Sequence, residues 1–280
     1  MNVGIVGLGL IGGSLAKALK ERTSHTVYAS DCNKSVYLRA KLENAADAPL
    51  DEAALPKCDV IFLALYPHDT IDYLKTNAAL FSKDAIVMDC CGVKKPVCDG
   101  AFPIAKAHGF TFIGAHPMAG TAAFGFESSK GTMFHNAPMI LCPAPGTPIE
   151  TLDKVRKLCL ELGFSRTPRV SPEEHDRMIA YTSQLAHVVS SAYVRSASSQ
   201  EHRNFSAGSF RDMTRVAKLN APMWAELFLD NRDFLADEID ALCARMKEYS
   251  AALRSGDEAA LLRLLEEGTE AKLRADERDK

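Results

Sequence analysis

The residue best placed for acid–base chemistry in this 280-residue chain is His116. An apolar and β-branched run over residues 110–114 predicts a strand that leads into the loop His116-Pro-Met-Ala-Gly-Thr121. Ligands of open α/β sheets bind beyond the carboxyl ends of the strands, where a neutral imidazole can accept a proton near pH 7. We therefore predict a catalytic role for His116. For this residue taken alone, the alternative is a loop histidine that only makes structural hydrogen bonds.

Two further segments carry groups that could hold an anionic substrate. The run Gly208-Ser-Phe-Arg-Asp-Met-Thr-Arg215 places two guanidinium groups and a carboxylate within about two helical turns, and arginine binds carboxylates through paired hydrogen bonds. The alternative for this run is a solvated helix face. His187 falls among apolar residues of a predicted helix, where the alternative is a hydrogen-bonded core histidine. His175, beside Glu174 and Asp176, is predicted to be an exposed residue in the first turn of a helix.

The N-terminal segment has the pattern of a dinucleotide site. A strand predicted at Val3–Val6 leads into Gly7-Leu-Gly-Leu-Ile-Gly12 and then a helix, and Asp31 follows the next predicted strand. The first glycine permits a tight turn, the second a close approach of a pyrophosphate, and the third close packing of the helix. Asp31 would accept hydrogen bonds from the ribose and repel a 2′-phosphate, which favours NAD over NADP. The predicted cofactor-binding residues are Gly7, Gly9, Leu10, Ile11, Gly12, Asp31, Leu65 and Tyr66.

The elements that must position these groups form two regions. Through residue 170, short β-branched or aromatic runs alternate with amphipathic stretches, which predicts a mainly parallel sheet with helices on both faces. From Pro172 onwards helical periodicity dominates, including one long helix predicted over residues 223–253. We predict an α/β Rossmann-like nucleotide-binding domain over residues 1–170, followed by an all-α domain over residues 171–280.

Composition and charge argue against several classes of protein. The net charge is −3, so there is no basic excess to favour nucleic acid or an anionic membrane. The chain has no apolar run of about 18 residues, which a membrane span requires, and its N-terminus lacks the basic segment of a signal peptide. Its eight cysteines include no C-x-x-C pair. We therefore expect reduced thiols, no metal site, a small-molecule substrate and a cytoplasmic location.

Four blocks together resemble the prephenate/arogenate dehydrogenase family of tyrosine biosynthesis. They are Gly7-Leu-Gly-Leu-Ile-Gly-Gly-Ser14, His116-Pro-Met-Ala-Gly-Thr121, Ser183-Gln-Leu-Ala-His187, and Gly208 to Arg215 together with Trp224. The resemblance implies NAD-dependent oxidative decarboxylation of prephenate to 4-hydroxyphenylpyruvate, or of arogenate to tyrosine. It also implies a homodimer that forms through the helical domain, which would then serve both substrate binding and dimerisation.

The resemblance assigns roles to individual positions. His116 resembles the catalytic histidine that hydrogen-bonds the ring hydroxyl of the substrate, and Arg215 resembles the arginine that binds a substrate carboxylate. His187 matches the second histidine of the family's S-H-L-P-H motif, which lies at the substrate site. The other positions implied at that site are Thr121, Asp212, Gln184 and Gly92.

Several of these positions depart from the family's pattern. Gln184 replaces the first histidine of the S-H-L-P-H motif, and Ala186 replaces its proline. Gly92 aligns with a serine that assists at the ring hydroxyl in many members, and the Cys90 and Cys91 thiols are weaker hydrogen-bond donors than a serine. These changes leave hydride transfer intact and leave the choice between prephenate and arogenate open.

Two other classes of protein share part of the pattern. A 3-hydroxyacid dehydrogenase also joins a Rossmann domain to a helical domain, but it typically uses a lysine on the first helix of the second domain. Residues 173–199 contain no lysine. A non-catalytic NAD-sensing dimer would keep the glycine loop but would not need both His116 and Arg215.

Overall fold

The computed structural model describes residues 1–121 and 123–278. Its seven-stranded sheet has the order β3-β2-β1-β4-β5-β6-β7, with every neighbouring pair parallel except β6 and β7. The strands are β1 (Asn2–Val6), β2 (Thr26–Ser30), β3 (Ala48–Pro49), β4 (Val60–Leu63), β5 (Ile86–Asp89), β6 (Thr111–Pro117) and β7 (Met139–Pro143). The predicted mainly parallel sheet is therefore confirmed, and the two-residue β3 is an addition.

Helices cover both faces of this sheet, as a parallel sheet requires. Alternate residues of one strand enter different cores: Phe62 of β4 packs into the core on one face, and Ile61 and Leu63 pack into the core on the other. The central strands are thus apolar on both faces, which explains their continuous runs of Val, Ile and Phe. The helices are α1 (Leu10–Arg22), α2 (Lys34–Leu42), α3 (Pro67–Asn77), α4 (Lys95–His108) and α5 (Ile149–Glu161).

The second half of the chain is helical, which confirms the predicted fold class. Ser171 caps the first of these helices, since its Oγ accepts the N–H of Glu174 at 3.1 Å. A π-helical turn over residues 180–184 joins the first helix to the second. The helices are α6 (Pro172–Ile179), α7 (Leu185–Val194), α8 (Gly208–Thr214), α9 (Ala221–Asp230), α10 (Arg232–Ser255) and α11 (Glu258–Arg278).

The prediction of one continuous helix over residues 223–253 was wrong, because α9 and α10 are separated at Asn231. The Asn231 side chain is buried and donates from Nδ2 to the Asp176 carbonyl at 2.9 Å and to Gln184 Oε1 at 2.7 Å. A buried side-chain amide must form hydrogen bonds, and the two acceptors of this one lie on α6 and on the π-helical turn. The helix breaks where this side chain turns inward.

The chain divides into two compact units, residues 1–231 and residues 232 onwards. The second unit consists of α10 and α11, joined by a hydrogen bond from the Tyr249 hydroxyl to the Leu264 carbonyl at 3.0 Å. Only Leu235 and Ala252 of α10 are buried, and no described side chain of α11 is. Large apolar side chains of this unit remain exposed, namely Met246, Leu253, Leu262, Leu265 and Leu273.

The eight cysteines are free thiols, as expected. Cys90 is half-buried, and the fully buried ones are Cys58, Cys91, Cys98, Cys142 and Cys159. Burial raises the pKa of Cys58 to about 11 and those of Cys142 and Cys159 to about 12, so these thiols stay protonated near neutral pH. Cys32 and Cys243 are exposed.

In the part of the chain that the structure describes, no helix combines the length and the apolar character needed to span a membrane.

Candidate active site

A cleft of about 870 Å³ lies within the first unit, beyond the carboxyl ends of β1, β4, β5 and β6. This volume falls in the range of small-molecule sites, and the position is the usual one for ligands of open α/β sheets. The lining brings together residues that are far apart in the sequence. The predicted site residues that line it are Gly9, Leu10, Ile11, Leu65, Tyr66, Gly92, His116, Thr121, Gln184, His187 and Arg215.

The glycine loop forms one end of the cleft. Gly7 has a φ of +84°, and a Cβ built on it would lie 2.5 Å from the Ala64 carbonyl oxygen. A Cβ on Gly12 would lie 1.8 Å from the Gly7 oxygen, whereas a Cβ on Gly9 would meet nothing within 4 Å. The turn and the helix packing thus require glycine at positions 7 and 12, and Gly9 leaves open space in front of the amino end of α1. That end of a helix attracts anions.

Asp31 stands directly after β2 and is half-buried. Its Oδ2 accepts the N–H of Leu8 at 2.7 Å, and its Oδ1 accepts the N–H of Asn33 at 2.8 Å. The carboxylate therefore fastens the glycine loop to the end of β2. Asp31, Gly7 and Gly12 are not among the residues that line the cleft.

His116 is the penultimate residue of β6, where it pairs with Ile140 of β7, rather than the first residue of the predicted loop. The sheet therefore fixes its backbone. Its Nδ1 lies 2.9 Å from Nε2 of His175, and its side chain lines the cleft. Burial, with smaller contributions from His175 and Lys94, lowers the pKa of His116 well below its usual value. The imidazole is neutral at pH 7 and can accept a proton.

The prediction that His175 is exposed was wrong, since only 2% of the residue is accessible. Its Nδ1 lies 2.6 Å from Oδ1 of Asp176, and burial lowers its pKa. The sequence carried a weak signal for this burial. Ile179 and Ala180 follow His175 and Asp176 at a spacing of four, so both polar residues share the apolar face of α6.

A buried ion pair supports the backbone beside His116. Asp89 ends β5 and pairs with Lys94, and both side chains are fully buried. Asp89 Oδ1 accepts the N–H of Ala115 at 2.9 Å, and Oδ2 accepts the N–H of Cys91 at 2.9 Å. Neither Asp89 nor Lys94 is among the residues predicted for the site, although a carboxylate at the end of a buried strand needs such partners.

His187 and Trp224 form an aromatic contact on another wall of the cleft. The ring centroids are 4.0 Å apart, and both residues line the cleft. His187 Nδ1 lies 3.0 Å from the Val216 carbonyl oxygen, so Nδ1 carries the proton and Nε2 is left as an acceptor. Burial lowers the pKa of His187, which keeps this ring neutral as well.

Gln184 and Gly92 lie close to α9. The buried Gln184 amide donates to the Leu227 carbonyl at 3.1 Å and accepts from Asn231 Nδ2 at 2.7 Å, so it is tied to α9 and to the residue that directly follows α9. A Cβ built on Gly92 would meet the Leu227 methyl groups at 3.5 Å, which is ordinary van der Waals contact. A small side chain therefore fits at position 92.

Arg215 follows α8, is exposed, and lines the cleft together with Lys218. Among the described residues, no carboxylate oxygen lies within 4.0 Å of its guanidinium group. Asp212 is exposed on α8 and lies outside the lining, and the Thr121 hydroxyl forms hydrogen bonds with the backbone of Ala123 at 3.3 to 3.4 Å. Of the two predicted anion-binding candidates in this segment, Arg215 is the one that the structure brings to the cleft.

One group of residues outside the cleft has the side-chain types of a metal site. His68 lies between two carboxylates of α9: its Nδ1 is 3.6 Å from Glu226 Oε1, and its Nε2 is 3.3 Å from Asp230 Oδ1. The backbone N–H of His68 also donates to Glu226 at 3.0 Å. Because both ring nitrogens face a carboxylate, the geometry is that of an imidazole clamped between two acids.

Comparisons with known proteins agree with this arrangement. The model of the prephenate dehydrogenase nucleotide-binding domain matches residues 15–165, and that of the prephenate dehydrogenase dimerization domain matches residues 171–267. The chain is similar to a cyclohexadienyl dehydrogenase from Zymomonas mobilis, with 31% identity over 97% of this chain and 95% of that protein.

Two solved structures show the same likeness in three dimensions. Synechocystis arogenate dehydrogenase superposes with a TM-score of 0.83 at 28% identity, covering 98% of this chain and all of that one. Aquifex aeolicus prephenate dehydrogenase, in complex with hydroxyphenyl propionate and NAD+, superposes with a TM-score of 0.83 at 27% identity, covering 99% of this chain and 98% of that one. With both domain models matched in order, this chain belongs to the prephenate dehydrogenase family of oxidoreductases.

Proposed function

We propose that this chain catalyses the NAD-dependent oxidative decarboxylation of prephenate to 4-hydroxyphenylpyruvate. The observation that carries the proposal is the juxtaposition in one cleft of the glycine loop, the neutral imidazole of His116 and the guanidinium of Arg215. The glycine loop fits a dinucleotide, the imidazole can remove a proton, and the guanidinium can bind a carboxylate.

The nucleotide end fits NAD. Gly9 leaves the space that a pyrophosphate needs, and Asp31 places a carboxylate at the end of β2, where it favours ribose hydroxyls over a 2′-phosphate. Leu10, Ile11, Leu65 and Tyr66 line the same end. NAD, when bound, supplies the acceptor for a hydride.

The substrate end fits a cyclohexadienol with two carboxylates. His116 would accept the proton of the ring hydroxyl as the hydride leaves the same carbon, and the ring carboxylate departs as carbon dioxide while the ring becomes aromatic. General-base assistance of this kind contributes about 10²–10⁴-fold. Arg215 would hold a substrate carboxylate through paired hydrogen bonds. His187, Thr121, Gln184, Gly92 and Asp212 complete the proposed substrate region.

Arogenate is the second candidate substrate. The resemblance to Synechocystis arogenate dehydrogenase covers 98% of this chain, and the Zymomonas relative carries the name of a cyclohexadienyl dehydrogenase. Arogenate differs from prephenate only in carrying an amino group in place of the side-chain keto group. Residues around the cleft that touch this side chain would decide between the two.

We also propose that the chain is a cytoplasmic homodimer, with residues 1–170 as the nucleotide domain and residues 171–280 as the substrate and dimerisation domain. Its support is the matched dimerization-domain model and the exposed leucines of α10 and α11. A second copy that covers these leucines would bury the apolar surface that one chain leaves in water. Sedimentation at micromolar concentration should give twice the chain mass, and a monomer would refute the dimer.

One assay tests the reaction itself. Reduction of the nicotinamide is followed at 340 nm with prephenate, with arogenate and with 3-hydroxy acids, each with NAD and with NADP. We expect turnover with prephenate and NAD. Turnover with arogenate alone would select the second candidate, and turnover only with 3-hydroxy acids would refute both.

A further inference from the structure

We propose that His175 is a positioning residue that, with Asp176, holds His116 in the tautomer whose Nε2 accepts the substrate proton. The inference rests on the proposed function, since it concerns the base of that reaction. It is carried by two consecutive hydrogen bonds. One joins His116 Nδ1 and His175 Nε2 at 2.9 Å, and the other joins His175 Nδ1 and Asp176 Oδ1 at 2.6 Å.

The proton positions along this contact follow from the acceptor at its end. A carboxylate only accepts hydrogen bonds, so Nδ1 of His175 must carry a proton that it donates to Asp176. A neutral His175 then has a lone pair on Nε2, and this atom must accept from His116. Nδ1 of His116 is therefore the protonated nitrogen, and its Nε2 keeps the lone pair.

Asp176 is itself held rigidly. Its Oδ1 accepts the N–H of Lys94 at 2.7 Å, and its Oδ2 accepts the N–H of Lys95 at 2.7 Å, at the amino end of α4. Its backbone carbonyl accepts from Asn231 at 2.9 Å. The side chain of Asp176 is thus fixed by the backbone at the start of α4, and its own backbone is fixed by the side chain of Asn231. Such a carboxylate can set the orientation of the two imidazoles, as the carboxylate of a catalytic triad does.

Burial of the ring, helped by the charge of Lys94, favours the neutral form of His175, whereas the carboxylates of Asp176 and Asp89 oppose it. Asp176 faces it from α6, and the Asp89–Lys94 ion pair faces it from the end of β5 and the segment before α4. The burial of the ring lowers its pKa despite the neighbouring carboxylate. A protonated His175 would donate to both neighbours, which would force the proton of His116 onto Nε2 and leave no acceptor for the substrate.

The O–H bond of the substrate hydroxyl breaks, and an N–H bond forms at Nε2 of His116, while the hydride of the same carbon goes to the oxidised nicotinamide. His116 becomes an imidazolium whose Nδ1–H continues to donate to His175, and its Nε2 proton returns to the phenolate oxygen once the ring carboxylate has left as carbon dioxide. The charge that develops on His116 is stabilised through this bond and, beyond it, by Asp176.

The main test is His175→Phe in the full-length protein, because phenylalanine fills the same space without a hydrogen bond. We expect kcat with prephenate to fall at least 100-fold, while the KM for prephenate and the affinity for NAD stay within about threefold. Glu173→Gln is the matched control, since Glu173 is exposed on the same helix turn, and it should behave like the unchanged protein. Thermal unfolding and NAD binding report whether each variant is folded.

Two further readouts separate positioning from a structural role. The loss in His175→Phe should persist across the pH range, because His116 stays neutral but is no longer oriented. Added imidazole should restore kcat in His175→Gly, where it can occupy the space vacated, and should not do so in His175→Phe. Recovery of full activity at high pH would show that His175 only tunes the pKa of His116, and this would overturn the inference.

The remaining outcomes are also decisive. Unchanged kcat in a folded His175→Phe, or no rescue of a folded His175→Gly, refutes the positioning role. If the unchanged protein reduces NAD with neither prephenate nor arogenate, the proposed function fails instead. The two failures are therefore distinguishable.

Discussion

The two ends of the cleft are built by different means. At the nucleotide end, the shape of the site is set mainly by the backbone: glycines at positions 7, 9 and 12 allow a turn, and Asp31 ties that turn to β2. At the substrate end, side chains from distant segments converge, and the side chains of His116 and His187 are each held by another part of the chain.

This difference has a functional consequence. Backbone shape can hold a cofactor that is the same in every turnover, whereas proton transfer and the choice of an anion need ionisable side chains at set positions. Changes at the substrate end should therefore alter kcat or the KM for prephenate and leave NAD binding intact. Changes at the nucleotide end should alter the use of NAD and leave the KM for prephenate intact.

The largest effect is expected for His116→Asn. Loss of the proton acceptor should lower kcat by about 10²–10⁴-fold. The affinity for NAD should be nearly unchanged, which quenching of the cleft residue Trp224, the only tryptophan, can measure. A variant with the turnover of the unchanged protein would remove His116 from the mechanism, and one that loses NAD binding as well would break the separation of the two ends.

Next in size is Arg215→Ala. Removing a charge-assisted hydrogen bond costs about 1.5–3 kcal/mol, so the KM for prephenate should rise roughly 10- to 150-fold. Arg215→Lys should recover only part of this, because the planar fork is lost. Arg211→Ala on the neighbouring helix is the matched control. If it, rather than Arg215→Ala, raises the KM, then Arg211 is the anion-binding residue.

A smaller effect is expected at the nucleotide end for Asp31→Ser. Loss of the carboxylate removes the repulsion of a 2′-phosphate, so the ratio of kcat/KM for NADP to that for NAD should rise on the order of tenfold. The KM for prephenate should not change. Asp31→Asn keeps the shape of the side chain, so it separates the effect of losing the charge from the effect of losing the hydrogen bond to Leu8. An unchanged protein that prefers NADP would contradict this role of Asp31 directly.

The smallest effect is expected for Gly92→Ser. The new Cβ meets Leu227 only at ordinary contact distance, so the fold and NAD binding should be retained. A hydroxyl near the ring hydroxyl of the substrate adds about one neutral hydrogen bond, which predicts a two- to tenfold rise in kcat/KM for prephenate. Gly92→Ala controls for the added carbon, and an equal gain with alanine would attribute the effect to packing alone.

The same contrast explains what could be predicted from sequence. The glycine loop and the parallel sheet were predictable because their constraints act over short stretches: a turn needs glycine, and a strand buried on both faces needs an apolar run. The partner of His116 was missed because it lies 59 residues further along the chain, on a helix whose acidic neighbours suggested exposure. The break at Asn231 was missed for a similar reason, since its partner Gln184 is 47 residues away.

The two exposed thiols, Cys32 and Cys243, provide two separate sites for fluorescent labelling. Since the buried cysteines are protonated and shielded, a maleimide dye at neutral pH should attach to Cys32 and Cys243 first. Cys32 adjoins Asp31, so a dye there, with Cys243 changed to serine, would respond to occupancy by the cofactor. A dye on Cys243 of α10, with Cys32 changed to serine, would undergo energy transfer only between associated copies.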